Sequence, residues 1–133
     1  MADPSLTRSS LTVMGGPLDG TRLVLDDVVD EILIGSDVDC RLALDLPGVS
    51  PIHARIWVDL AGVEVRDTRS PRGIYVNDDR ITDRTMLRDG DILWLGPPGD
   101  ETSVMIHCRV VPPPDLGAAG PRHYYRAYWQ GGA

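Results

Sequence analysis

From Ile52 onward the chain alternates with a period of two: Ile52, Ala54, Ile56 and Val58 share one side, His53, Arg55 and Trp57 the other. That period predicts a strand with one buried face. Val63 and Val65 alternate in the same way with Glu64 and Arg66, and Val104, Ile106, Cys108 and Val110 with Met105, His107 and Arg109. Shorter apolar runs lie at Leu11–Met14, Thr21–Leu25, Glu31–Gly35, Leu42–Leu44, Gly73–Val76, Thr85–Leu87 and Asp91–Leu95. Turn chemistry separates them: Gly15-Gly16-Pro17-Leu18-Asp19-Gly20, Leu46-Pro47-Gly48, Asn77-Asp78-Asp79 and Arg88-Asp89-Gly90. Asp-Gly and Asn-Asp pairs accommodate positive φ, the signature of tight hairpin turns. No stretch has a helical period. The expectation is an all-β, antiparallel sandwich or barrel of about eleven short strands.

The pattern divides the chain into a flexible leader at 1–9, a β domain at 10–111, and a Pro/Gly-rich linker with an aromatic tail at 112–133. The linker begins with the stiff Pro112-Pro113-Pro114 and loosens at Leu116–Gly120. The tail, Arg122–Trp129, holds Tyr124, Tyr125, Tyr128 and Trp129, residue types that anchor interfaces. It is too short for a core of its own. A docking peptide is the functional reading, one that folds back, swaps onto a second copy to make a homo-oligomer, or engages another protein.

At 133 residues there is room for one domain with a real core. The net charge of −7 argues against a general nucleic-acid or anionic-membrane surface, and no apolar run approaches the ~18 residues of a membrane span. All 13 basic residues are arginine, lysine and phenylalanine are absent, and Asn77 is the one asparagine. The missing residues have AT-rich codons, which points to a GC-rich, bacterial genome. Recognition of a phosphate or carboxylate would therefore rest on guanidinium forks. Cys40 and Cys108 lack metal or redox spacing and read as buried thiols. Met1–Pro4 lacks the start of a secretory signal, so the expected location is cytoplasmic.

Candidate chemistry is sparse. Ser50 and His53 invite a nucleophile-and-base reading, but no oxyanion loop or third member accompanies them. His107 and His123 are isolated, and no spacing matches a zinc site or calcium loop. Gly15-Gly16-Pro17 lacks the Lys-Ser/Thr of a phosphate loop. No catalytic residue, metal or cofactor is expected. Trp57, beside Arg55, is the better tryptophan for a protein-contact surface.

Three punctuated segments follow in order: Ile34-Gly35-Ser36, Val49-Ser50-Pro51-Ile52-His53-Ala54, and Ser70-Pro71-Arg72-Gly73-Ile74-Tyr75-Val76-Asn77. Behind them stand Gly90-Asp91 and Leu95-Gly96. In order and spacing this set resembles the forkhead-associated (FHA) domain family, whose signature runs Ile-Gly-Arg, Ser-Arg-x-His-Ala and Ser-x-Asn-Gly-Thr-x-Val-Asn. The resemblance spans about Leu11 to Val111. It implies an FHA-like β-sandwich whose apical loops read phosphothreonine in a partner protein without catalysis. It gives Gly35, His53, Gly73, Asn77 and Gly90 structural roles, His53 bracing the Ser50 loop. The loops that would meet a partner contribute Ser36, Arg41, Ser50, Arg69, Ser70 and Arg72.

The departures bear on function. Ser36 stands where the family holds phosphate with arginine, Pro51 follows Ser50, and Arg72 replaces the asparagine before the glycine. With charged hydrogen bonds contributing roughly 1.5–3 kcal/mol each, losing two such contacts costs about 3–6 kcal/mol, or about two to four decades of affinity. The leading expectation is thus a phosphate-independent scaffold with a degenerate phosphothreonine pocket. A phosphothreonine reader with relocated arginines, Arg41 and Arg72, is the second. A structural subunit held in a larger assembly by its aromatic tail is the third.

Overall fold

The computed structural model describes residues 8–25, 30–59 and 62–111. They form eleven strands: β1 (Ser10–Met14), β2 (Arg22–Val24), β3 (Asp30–Gly35), β4 (Leu42–Ala43), β5 (Ala54–Asp59), β6 (Gly62–Asp67), β7 (Ile74–Val76), β8 (Asp79–Ile81), β9 (Arg84–Leu87), β10 (Ile92–Leu95) and β11 (Val104–Arg109). One sheet has the order β2-β1-β11-β10-β7-β8 and the other β4-β3-β5-β6-β9. Of the described pairings only β3–β4 is parallel. The all-β sandwich expected from the alternation is what forms. Among the described residues no helix is long and apolar enough to cross a membrane.

Alternation selects the core. Leu11, Val13, Ile74, Leu93, Leu95 and Ile106 of the first sheet and Ile34, Ala54, Ile56, Val63 and Val65 of the second are buried in one apolar cluster. Both cysteines are free and buried, and burial pushes the Cys108 thiol up to about 12. Ser9, at the end of the expected leader, is hydrogen-bonded at both backbone and side chain: its carbonyl accepts Leu25 N–H at 2.8 Å and its hydroxyl accepts Val111 N–H at 2.9 Å. Residues 1–7 of the leader and the 112–133 segment lie outside the described residues.

One expectation is corrected. Ile52 does not share the buried side with Ala54: it is 40% exposed, and His53 is fully buried. β5 begins only at Ala54, so the two preceding residues belong to a loop in which the period of two does not hold.

Asn77 shows how turns position the elements. With φ of 57°, it opens the two-residue turn between β7 and β8. Its side-chain oxygen accepts Ile92 N–H, its amide donates to Asp91, and its own N–H meets Ile92 O at 2.7 Å. The turn is thereby stapled to the start of β10.

Candidate functional site

Three loops converge at one end of the sandwich: β3–β4, β4–β5 and β6–β7. The first two are zipped together by backbone bonds, Ser36 N–H to Ser50 O at 2.9 Å and Asp37 N–H to Pro51 O at 3.2 Å, with His53 N–H to Ile34 O at 2.7 Å. Gly35 permits this approach, because a Cβ there would stand 2.1 Å from the Pro51 carbonyl oxygen. The Cys40 thiol donates to that same oxygen at 3.2 Å, and burial, reinforced by Asp37, raises its pKa.

His53 joins the third loop to the other two. Ser50 N–H donates to its Nδ1 at 3.1 Å, so the ring's proton is on Nε2, which meets Gly73 O at 2.9 Å. That oxygen also accepts Gly96 N–H at 3.0 Å. Burial lowers the His53 pKa, against the backbone hydrogen bond that raises it, and the Arg72 charge adds to the lowering. The imidazole is a neutral brace, and the hydroxyl of Thr68, 2.9 Å from both Ile52 O and His53 O, holds the same corner.

Ser70-Pro71-Arg72-Gly73 forms a turn closed by Gly73 N–H to Ser70 O at 3.0 Å. Serine first, proline second and glycine fourth suit such a turn. Ser70 is buried beneath it. The Arg72 guanidinium is drawn away to the β10–β11 loop, where it pairs with Asp100 at 3.2 Å, bonds Ser103 Oγ at 3.0 Å and bonds Thr102 Oγ1. Two glycines leave room for it: a Cβ at Gly48 would meet Arg72 Nη1 at 3.1 Å, and one at Gly96 would meet Arg72 Nε at 3.0 Å. Backbone and hydroxyl hydrogen bonds from Thr102, with the Arg72 bond ranking between them, hold the Asp100 carboxyl below its usual range.

The structure brings Gly35, Ser36, Ser50, His53, Ser70, Arg72 and Gly73 to this end. Arg41 is exposed at the entry to β4 and is engaged by a neighbour. Arg69 is exposed, with φ of 62°. Such a conformation is uncommon for a long side chain. Asn77 and Gly90 serve turns outside the loops. Trp57 is half-buried under the Arg66 guanidinium, 5.3 Å from the ring centroid, and donates to Asp59 at 3.2 Å. Tyr124, Tyr125, Tyr128 and Trp129 lie outside the described residues. Among the described residues, no group of three or more His, Cys, Asp or Glu could hold a metal ion.

Sequence reasoning missed two sets of residues. Asp100, Thr102 and Ser103 gave no signal, being a polar run in a loop far along the chain. Val38, 86% exposed, and Ile52 are the large apolar side chains exposed in these loops. An apolar residue at a loop tip was the available sign.

Residues 32–96 match the family model of the FHA domain. The FHA domain of an Arabidopsis thaliana hypothetical protein is 24% identical, with 88% of this chain and 97% of that one covered at a TM-score of 0.68. A solved structure from the analysis of phosphothreonine-dependent FHA domain interactions is 26% identical, covering 76% and 96%, at 0.62. The FhaA FHA domain, complexed with the intracellular domain of Rv3910, is 25% identical, covering 74% and 99%, at 0.61. No curated protein matches.

Proposed function

The chain belongs to the FHA-domain family, and from that premise we propose that it is a non-catalytic protein-interaction module that binds its partner without requiring a phosphate. The observation that carries this reading is the position of Arg72, whose guanidinium is committed to Asp100, Thr102 and Ser103. Withdrawing it from Asp100 to serve a ligand would sacrifice an ion pair and two hydrogen bonds. Ser36 supplies no charge where the family's arginine would stand, and Asp37 and Asp39 on the same loop oppose an anion. The same three loops expose Val38 and Ile52, and also Pro51 and Pro71, side chains suited to apolar contact. By analogy with the FhaA complex, the partner is a segment of another protein.

A second reading has its own support. Arg69 is exposed in the third loop with a strained backbone, and Arg41 is exposed at the end of the first, so a phosphothreonine could recruit both. The full chain carrying Val38→Ser and Ile52→Ser separates the two. The proposal expects this variant to lose capture of its partner from lysate with its melting temperature unchanged. Undiminished capture would overturn the apolar reading.

A further inference from the structure

The outer face of the six-stranded sheet carries a row of large apolar side chains in cross-strand register. Met14 stands opposite Met105, Met105 opposite Trp94, Trp94 opposite Tyr75, and Tyr75 opposite Arg80. Outer positions of an antiparallel sheet are ordinarily polar. Here Met14 is 42% exposed, and Met105, Trp94 and Tyr75 are half-buried. At its Met14 end the row opens into a groove walled by Pro17, Leu46 and Pro47 and by Asp100 and Glu101. At its other end lie the exposed Asp78 and Asp79.

We propose that the segment Arg122–Trp129 of the same chain docks in cis along this row. Its chemistry is complementary: Tyr124, Tyr125, Tyr128 and Trp129 face methionines and aromatics, and Arg122 and Arg126 face Glu101 at one end or Asp78 and Asp79 at the other. Its reach suffices. β11 starts beside the row at Met105 and ends at Arg109, so Val111 lies about 20 Å back along the strand direction. The residues between Val111 and Arg122 span up to about 33 Å when extended. The tether also favours cis over trans, because a short linker holds its segment at an effective concentration of about millimolar. The docked tail lies against the β10–β11 loop, whose Asp100 and Thr102 hold Arg72, and so adjoins the partner-binding end without occupying it. The inference does not depend on whether that end reads phosphate.

Methyl NMR of the full chain labelled at methionine tests this. Met86, 45% exposed on the other sheet, is an internal control. Replacing Tyr124, Tyr125, Tyr128 and Trp129 with serine is expected to move the Met14 and Met105 methyl signals, as the tail's ring currents are lost, and to leave Met86 in place. The wild-type positions are expected to stay constant on dilution, and Arg122→Glu with Arg126→Glu to move the two signals in the same direction as the serine variant. Unmoved Met14 and Met105 signals in the serine variant would overturn the docking. Wild-type signals that shift on dilution would assign the row to a second copy and overturn docking in cis.

Discussion

His53 Nε2 lies 2.9 Å from the carbonyl oxygen of Gly73, and this contact joins the Ser50 loop to the turn that carries Arg72. Because Nδ1 of the same ring accepts Ser50 N–H, a single buried side chain sets the spacing of the two loops. Replacing His53 with alanine strands two backbone groups and leaves a cavity. The expected loss is about 2–4 kcal/mol, read from urea denaturation at neutral pH with an unchanged m-value.

The same brace makes stability depend on pH. Burial holds the folded-state pKa of His53 below its ordinary 6.5, so the unfolded chain binds more protons in mildly acid solution. Its contribution is fully present above about 6.5 and is lost as pH falls from there toward the folded value. Urea midpoints should drop between pH 7.5 and 5.5 in the wild type and drop less in His53→Ala.

Gly35 should tolerate no side chain. A Cβ would stand 2.1 Å from Pro51 O and 2.6 Å from Pro51 C, the carbonyl that Asp37 N–H and the Cys40 thiol already engage. Gly35→Ala is expected to destabilise the domain by about 3 kcal/mol or more, measured by equilibrium unfolding.

Arg72→Ala removes the tie between the third loop and the β10–β11 loop. Its partly exposed ion pair and hydroxyl contacts set the expected cost at about 1–2 kcal/mol of stability. Partner affinity should change less than about threefold, since the guanidinium faces the protein; calorimetric titration checks this.

The fold was legible because a half-buried sheet imposes a period of two, and Ala54 to Val58 and Val104 to Cys108 obey it. The order of the glycines, Ser50 and His53 likewise marked the loops. The commitment of Arg72 was not legible: it depends on a turn at Ser70–Gly73 and on Asp100, Thr102 and Ser103, which no local pattern links to it. The inversion at Ile52 and His53 escaped for a related reason, because side-chain alternation holds only where strand pairing fixes the backbone.

The most direct test of the account compares capture of the partner by the full chain from lysate before and after phosphatase treatment. Equal recovery from the two lysates is predicted, as expected for loops that present Val38 and Ile52 and keep Arg72 bound to Asp100. Recovery that disappears with the phosphate would contradict it and assign recognition to Arg69 and Arg41.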